Sequence, residues 1–162
     1  MKSIKKRFAK ARIISKMIQF EENGTSSFND EDADAGETTT LTTDCTVADK
    51  GSRIEIEYEE SEITGLEGSK TKVFFDKKNP SLVSILREGA VSTALVFEEG
   101  RRHLCVYETP YFPIELCVNT LSLQNTLSYN GGSMKAEYLV EMNGVLAEKT
   151  IIRIHFFEFL IN

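Results

Sequence analysis

The sequence predicts an all-β domain, an antiparallel up-and-down β-barrel of about 8–10 strands. Three observations predict it. Short runs rich in Val, Ile, Thr, Tyr and Phe recur from residue 38 to residue 157. Turn chemistry separates them at Lys78-Asn79-Pro80-Ser81, Glu99-Gly100, Asn130-Gly131-Gly132 and Asn143-Gly144. No stretch beyond residue 20 has a sustained helical period. A meander this long exposes two edges if it stays open, and closure removes both.

The first 20 residues support two readings. Ile4, Phe8, Ala11, Ile14 and Ile18 recur at helical spacing, whereas Ile14, Ile18 and Phe20 also share one strand face. The Ile-Ile pair and Phe favour a strand over 11–20, which leaves residues 1–10 as a basic arm before a single barrel domain over 11–162. Residues 21–37 are rich in Gly, Ser, Asn, Asp and Glu and read as a mobile acidic loop. Thr38–Val47 is a Thr-rich strand, and Ala48–Ser52 is a turn. Arg53–Glu60 alternates: Ile54, Ile56 and Tyr58 face one way, Glu55, Glu57 and Glu59 the other. Further strands are expected at 70–76, 82–87, 93–98, 103–108, 114–120, 121–129, 135–142 and 146–157.

The totals set limits on function. The 162 residues fit one domain that buries a core without metals or disulfides. The net charge of -6 argues against nucleic-acid binding by the protein as a whole. Charge is segregated: residues 1–16 hold seven Lys or Arg and no acid, and residues 17–49 hold nine Asp or Glu and no Lys or Arg. Cys45, Cys105 and Cys117 are an odd set without a C-x-x-C pair, as expected of reduced thiols in a cytoplasmic protein. Lys10, Arg12 and Lys16 interrupt any export-signal core near the N-terminus, and no run has the length of a membrane-spanning helix.

The series Tyr58-Glu59-Glu60, Thr64-Gly65-Leu66, Arg87-Glu88-Gly89-Ala90-Val91, Phe97, Gly100, Tyr107-Glu108-Thr109-Pro110-Tyr111, Thr120, Gly132 and Tyr138 resembles the YwiB-like bacterial proteins, a family of unknown function. The resemblance covers about residues 53–157 and rests on the order of the series, not on one motif. It implies a calycin-like barrel, the architecture of lipocalins and fatty-acid-binding proteins, and it implies no activity. The family usually has Gly after the position of Tyr111. Here Phe112-Pro113 follows, so the local turn differs.

Candidate site residues follow from placement. Arg87 ends the apolar run Leu82–Leu86 and is a candidate to hold a ligand carboxylate inside the barrel. The competing reading is a structural Arg at the barrel mouth, paired with Glu60. Tyr58 shares a face with Ile54 and Ile56. Tyr107, Thr109, Pro110, Tyr111 and Phe112 form an aromatic turn region, which reads as a lip over a ligand opening, an interface anchor or a plug that closes the barrel end. Phe74, Phe75, Phe97, Phe112, Phe156 and Phe157 are candidates to fill the lumen.

No catalytic constellation, metal site or cofactor motif is evident. An EF-hand loop from Asp30 would need Gly and Glu where Ala35 and Leu41 stand. His103 and Cys105 share a strand face, but i and i+2 lie about 6–7 Å apart, too far for a nucleophile–base contact. Two functions from different classes are expected: a barrel that binds a small amphipathic ligand in its lumen, or a non-enzymatic protein-interaction module with a filled barrel. Homodimerisation or a protein partner through the apolar tail His155–Asn162 belongs with the second. Neither nucleic acid nor membrane is an expected partner.

Overall fold

A computed structural model describes residues 4–19, 36–61, 68–89 and 92–157. The strands are β1 (Lys5–Gln19), β2 (Glu37–Asp49), β3 (Arg53–Glu59), β4 (Lys70–Asp76), β5 (Leu82–Glu88), β6 (Ser92–Glu98), β7 (Arg102–Glu108), β8 (Pro113–Asn125), β9 (Gly132–Met142) and β10 (Val145–Phe157). Each pairs antiparallel with its neighbours in sequence. β1 also pairs with β10, from Lys10↔Phe157 to Gln19↔Glu148, and this closes the barrel. No helix occurs among the described residues.

Two expectations need correction. The basic arm is not separate from the barrel: residues 5–10 are the first half of β1, paired with β2 from Lys5↔Asp49. The buried face there is Ala9, Ala11 and Ile13, the opposite parity from Ile14 and Ile18. Alanines give little alternation signal, so the long basic residues facing outward hid the strand. One of these, Lys10, pairs with Asp44 at 2.6 Å. In addition, the strands expected at 114–120 and 121–129 are one strand, β8. A bulge between Thr120 and Ser122 interrupts its register, and a bulge residue reverses the apparent alternation without ending the strand. The acidic loop expected at 21–37 lies almost wholly outside the described residues, as does the first half of the calcium-loop reading, whose last five positions belong to a strand. The last residue of the acidic loop, Glu37, opens β2.

Turn chemistry fixes the hairpins. The two-residue loop Asn143-Gly144 has φ of 51° and 80°. This left-handed pair matches the right-handed twist of β9 and β10, and Asn and Gly tolerate it best.

The two ends of the barrel differ. At the end holding the N-terminus of β1 and the β8–β9 turn, the interior is filled. Phe97, Phe156, Met134, Val47, Val83, Val118 and Ile154 are at most 1% exposed. The Arg7 guanidinium lies over the Tyr129 and Phe156 rings, 5.3 and 5.9 Å from their centroids, as a cation–π cover. Of the six phenylalanines expected to fill the lumen, only Phe75, Phe97 and Phe156 do so. Phe74 is outside under the Arg53 guanidinium, 3.9 Å from its carbon. Phe157 stacks on His155, and Phe112 is exposed.

Candidate functional site

At the opposite end the lumen stays open. A cavity of about 640 Å³ lies among the C-terminal ends of β1, β3, β5, β7 and β9 and the N-terminal ends of β2, β4, β6, β8 and β10. It reaches solvent past Glu37 and Met142, both exposed. Its floor includes Tyr138, whose ring lies 4.6 Å from that of Phe97.

The lining is laterally divided, and strand register explains the division. Tyr58 pairs with Thr71, Thr71 with Arg87, Arg87 with Thr93, and Thr93 with Tyr107. Directly opposed residues point to the same face. One polar belt therefore runs across the inner surface of β3 to β7, with Arg87 at its centre. The other wall is mixed: Ile13, Met17, Leu116, Val140, Met142 and Ile152 give it apolar surface, interrupted by Ser15, Thr39, Glu148 and Thr150.

Arg87 and Glu60 form the charged part of the belt. Arg87 Nε lies 3.7 Å from Glu60 Oε1, close enough for an ion pair and too long for a hydrogen bond. That Nε is buried and makes no hydrogen bond. Glu60, itself buried, accepts a 2.6 Å hydrogen bond from the Thr71 hydroxyl. Burial, and then the Glu60 carboxylate, push the Tyr58 phenol far above its ordinary range, partly offset by Arg87. Tyr58 thus stays a neutral hydroxyl.

Two features of the opposite wall were not visible in the sequence. Glu148 lines the cavity, in phase with the inward Thr150 and Ile152 on β10, and the bulge that precedes it turns Leu146 to the outer face opposite Glu141. Burial raises its pKa, partly offset by the neighbouring Thr150 hydroxyl. The Tyr138 phenol, pushed up by burial, is lowered by Arg87 and raised by Glu148, so it feels both charges. Thr93 Oγ1 is buried and makes no hydrogen bond.

Of the five residues expected in the site, Arg87, Tyr58 and Tyr107 line the cavity and Thr109 and Tyr111 do not. Thr109 organises the β7–β8 turn: its hydroxyl donates to Phe112 O at 2.7 Å and accepts from the backbone N–H groups of Tyr111 and Phe112. Tyr111 is 89% exposed. Arg87 has the Glu60 neighbour that the structural reading expected, and it faces the lumen as well. Thr93, Tyr138, Glu148 and Thr150, which line the cavity, were missed, as was Thr71, which is buried behind the lining and holds Glu60. Alternation places the threonines and Glu148 inward once the register is known.

The thiols are separate from this site. Cys105 is buried, with Sγ 3.8 Å from the His103 carbonyl oxygen, and burial raises its pKa. Burial pushes Cys45 up to about 11. Among the described residues, no group of three or more His, Cys, Asp or Glu is arranged to hold a metal ion.

Fold and lumen together define a closed ten-stranded antiparallel barrel with an open interior end. The chain belongs to the family described as a domain of unknown function (DUF1934), whose profile matches residues 23–154. Its fold is similar to that in the crystal structure of the ywiB protein from Bacillus subtilis, with a TM-score of 0.64 at 20% identity over 91% of this chain and 92% of that one. No curated protein matches the chain.

Proposed function

We propose that the barrel binds a small amphipathic molecule in its lumen, with the polar end on the belt around Arg87. The observation that carries this reading is the amphipathic cavity of about 640 Å³: Tyr58, Arg87, Thr93 and Tyr107 of the registered belt line one side, and Ile13, Met17, Leu116, Val140, Met142 and Ile152 give the other its apolar surface. That volume suits a small ligand, and such sites combine apolar walls with a few placed polar groups. Unfilled hydrogen-bonding capacity at Arg87 Nε and Thr93 Oγ1 also supports a missing polar partner. The role is carrier or sensor, because the lining offers recognition chemistry: a guanidinium, phenols and hydroxyls.

The competing reading, an interaction module with a filled barrel, requires the core to continue through the end that this cavity occupies. A cytoplasmic setting is part of the proposal. Three free cysteines suit a reducing compartment, and the outward faces of β3 and β4 carry Glu57, Glu59, Lys70 and Lys72, not a lipid-facing apolar band. No helix among the described residues is long and apolar enough to cross a membrane.

The test is native mass spectrometry of freshly purified, untagged protein beside its denatured mass. The expected result is extra mass that disappears on denaturation and is much reduced in Arg87→Gln. A bare-chain mass, with no calorimetric binding of octanoate, octylamine or N-octylglycine, overturns the lumen reading. Extra mass retained equally by Arg87→Gln removes Arg87 from the site.

A further inference from the structure

The ring order places β5 and β10 on opposite sides of the barrel. From β5 there are five steps to β10 through β6, β7, β8 and β9, and five through β4, β3, β2 and β1. Arg87 on β5 and Glu148 on β10 therefore face each other across the same cavity. Tyr138, on the strand beside β10, interacts electrostatically with both.

The two poles differ in their partners. Arg87 has Glu60 as an imperfect neighbour at 3.7 Å, with its Nε left unbonded. Glu148 has no Lys or Arg within ion-pair distance among the described residues. Its neighbours across the sheet are Val140 on β9 and Gln19 on β1. The other charges lining the cavity are Arg87, its neighbour Glu60, and Glu37 at the rim. A half-buried carboxylate without a cation is costly to keep in an empty lumen. Strand alternation nevertheless aims one inward, because Glu148 is in phase with the buried Thr150, Ile152 and Ile154 on β10 and pairs with the buried Val140 on β9.

We infer that the lumen is built for a zwitterionic amphiphile, one whose head carries an anionic group for Arg87 and a protonated amine for Glu148. This rests on the lumen-binding reading and adds the charge character of the ligand. An anion alone satisfies the guanidinium and leaves Glu148 unpaired and repelled. An amine alone satisfies Glu148 and leaves the belt unfilled. A head with both groups completes the two poles at once, through charge-assisted hydrogen bonds.

The test is isothermal titration calorimetry at pH 7 with three probes of equal chain length: N-octylglycine, octanoate and octylamine. N-octylglycine is expected to bind at least about tenfold more tightly than either single-charge probe. Glu148→Gln is expected to abolish its advantage over octanoate without weakening octanoate. Arg87→Gln is expected to abolish its advantage over octylamine. If octanoate or octylamine matches N-octylglycine, or if Glu148→Gln leaves the preference intact, this inference is overturned while the lumen reading stands. If none of the three binds, this inference is overturned, and with a bare-chain native mass the lumen reading fails as well.

Discussion

The two ends of the barrel are made of the same ten strands and have opposite interiors. At one end, each inward position adds volume: Phe97, Phe156, Met134 and Ile154 leave no room and need no polar partner. At the other, inward positions along β3 to β7 alternate Tyr, Thr and Arg, and the wall opposite carries Glu148 and Thr150. The difference shows that a closed sheet does not by itself decide whether its interior is a core or a container. Side-chain size and polarity, level by level, decide it. The filled end provides the apolar burial that holds the fold, and the open end can therefore keep groups that cost stability, a division expected where a binding site is built on a stable scaffold.

The largest expected effect comes from breaking the filled end. Phe156→Ala removes a fully buried ring beneath Arg7. A loss of about 3–5 kcal/mol is expected in urea unfolding. A loss below about 1 kcal/mol would mean that this end is not the stabilising half.

Glu148→Gln sharpens the contrast from the open end. The folded-state pKa of Glu148 is raised, so the fold holds this proton to higher pH than the unfolded chain does. Stability from this group is greatest below the ordinary carboxylate pKa of about 4.3 and is lost as pH rises toward the folded value. Gln cannot ionise. The variant is therefore expected to be more stable than the parent protein at pH 7, with the gain shrinking toward zero as the pH falls below about 4. Unfolding midpoints of both proteins at pH 4 and pH 7 check this. A variant that is less stable at pH 7 would contradict the assignment of Glu148 to a site it destabilises.

The smallest effect is expected at Tyr111. Its side chain is almost fully exposed outside the cavity. Tyr111→Ala is expected to change stability by no more than about 0.5 kcal/mol. It should also leave the affinity for N-octylglycine unchanged. A marked loss of affinity would make the β7–β8 turn part of the opening.

Much of the fold was legible because period 2 and turn residues are local signals. Ile54, Ile56 and Tyr58 do face inward, and Asn143-Gly144 does make its hairpin. Local signals failed where an element carried no contrast. β1 hid behind Ala9 and Ala11, and β8 was divided by its bulge at Leu121. Within the site, Arg87, Tyr58 and Tyr107 could be found because each stands out on its own strand. Thr109 and Tyr111 looked equally prominent, but the turn that holds them faces away from the lumen.

The sequence by itself determined the strands, most of their boundaries and the inward parity of most of them, since these depend on neighbours one or two residues apart. Only the tertiary structure decided that the belt from Tyr58 to Tyr107 is continuous, that Arg87 and Glu148 oppose each other across the lumen, and which end of the barrel is open. Those relations join residues up to 61 positions apart, such as Arg87 and Glu148. They depend on strand register, bulge position and ring closure, which are properties of the assembled sheet and not of any segment of it.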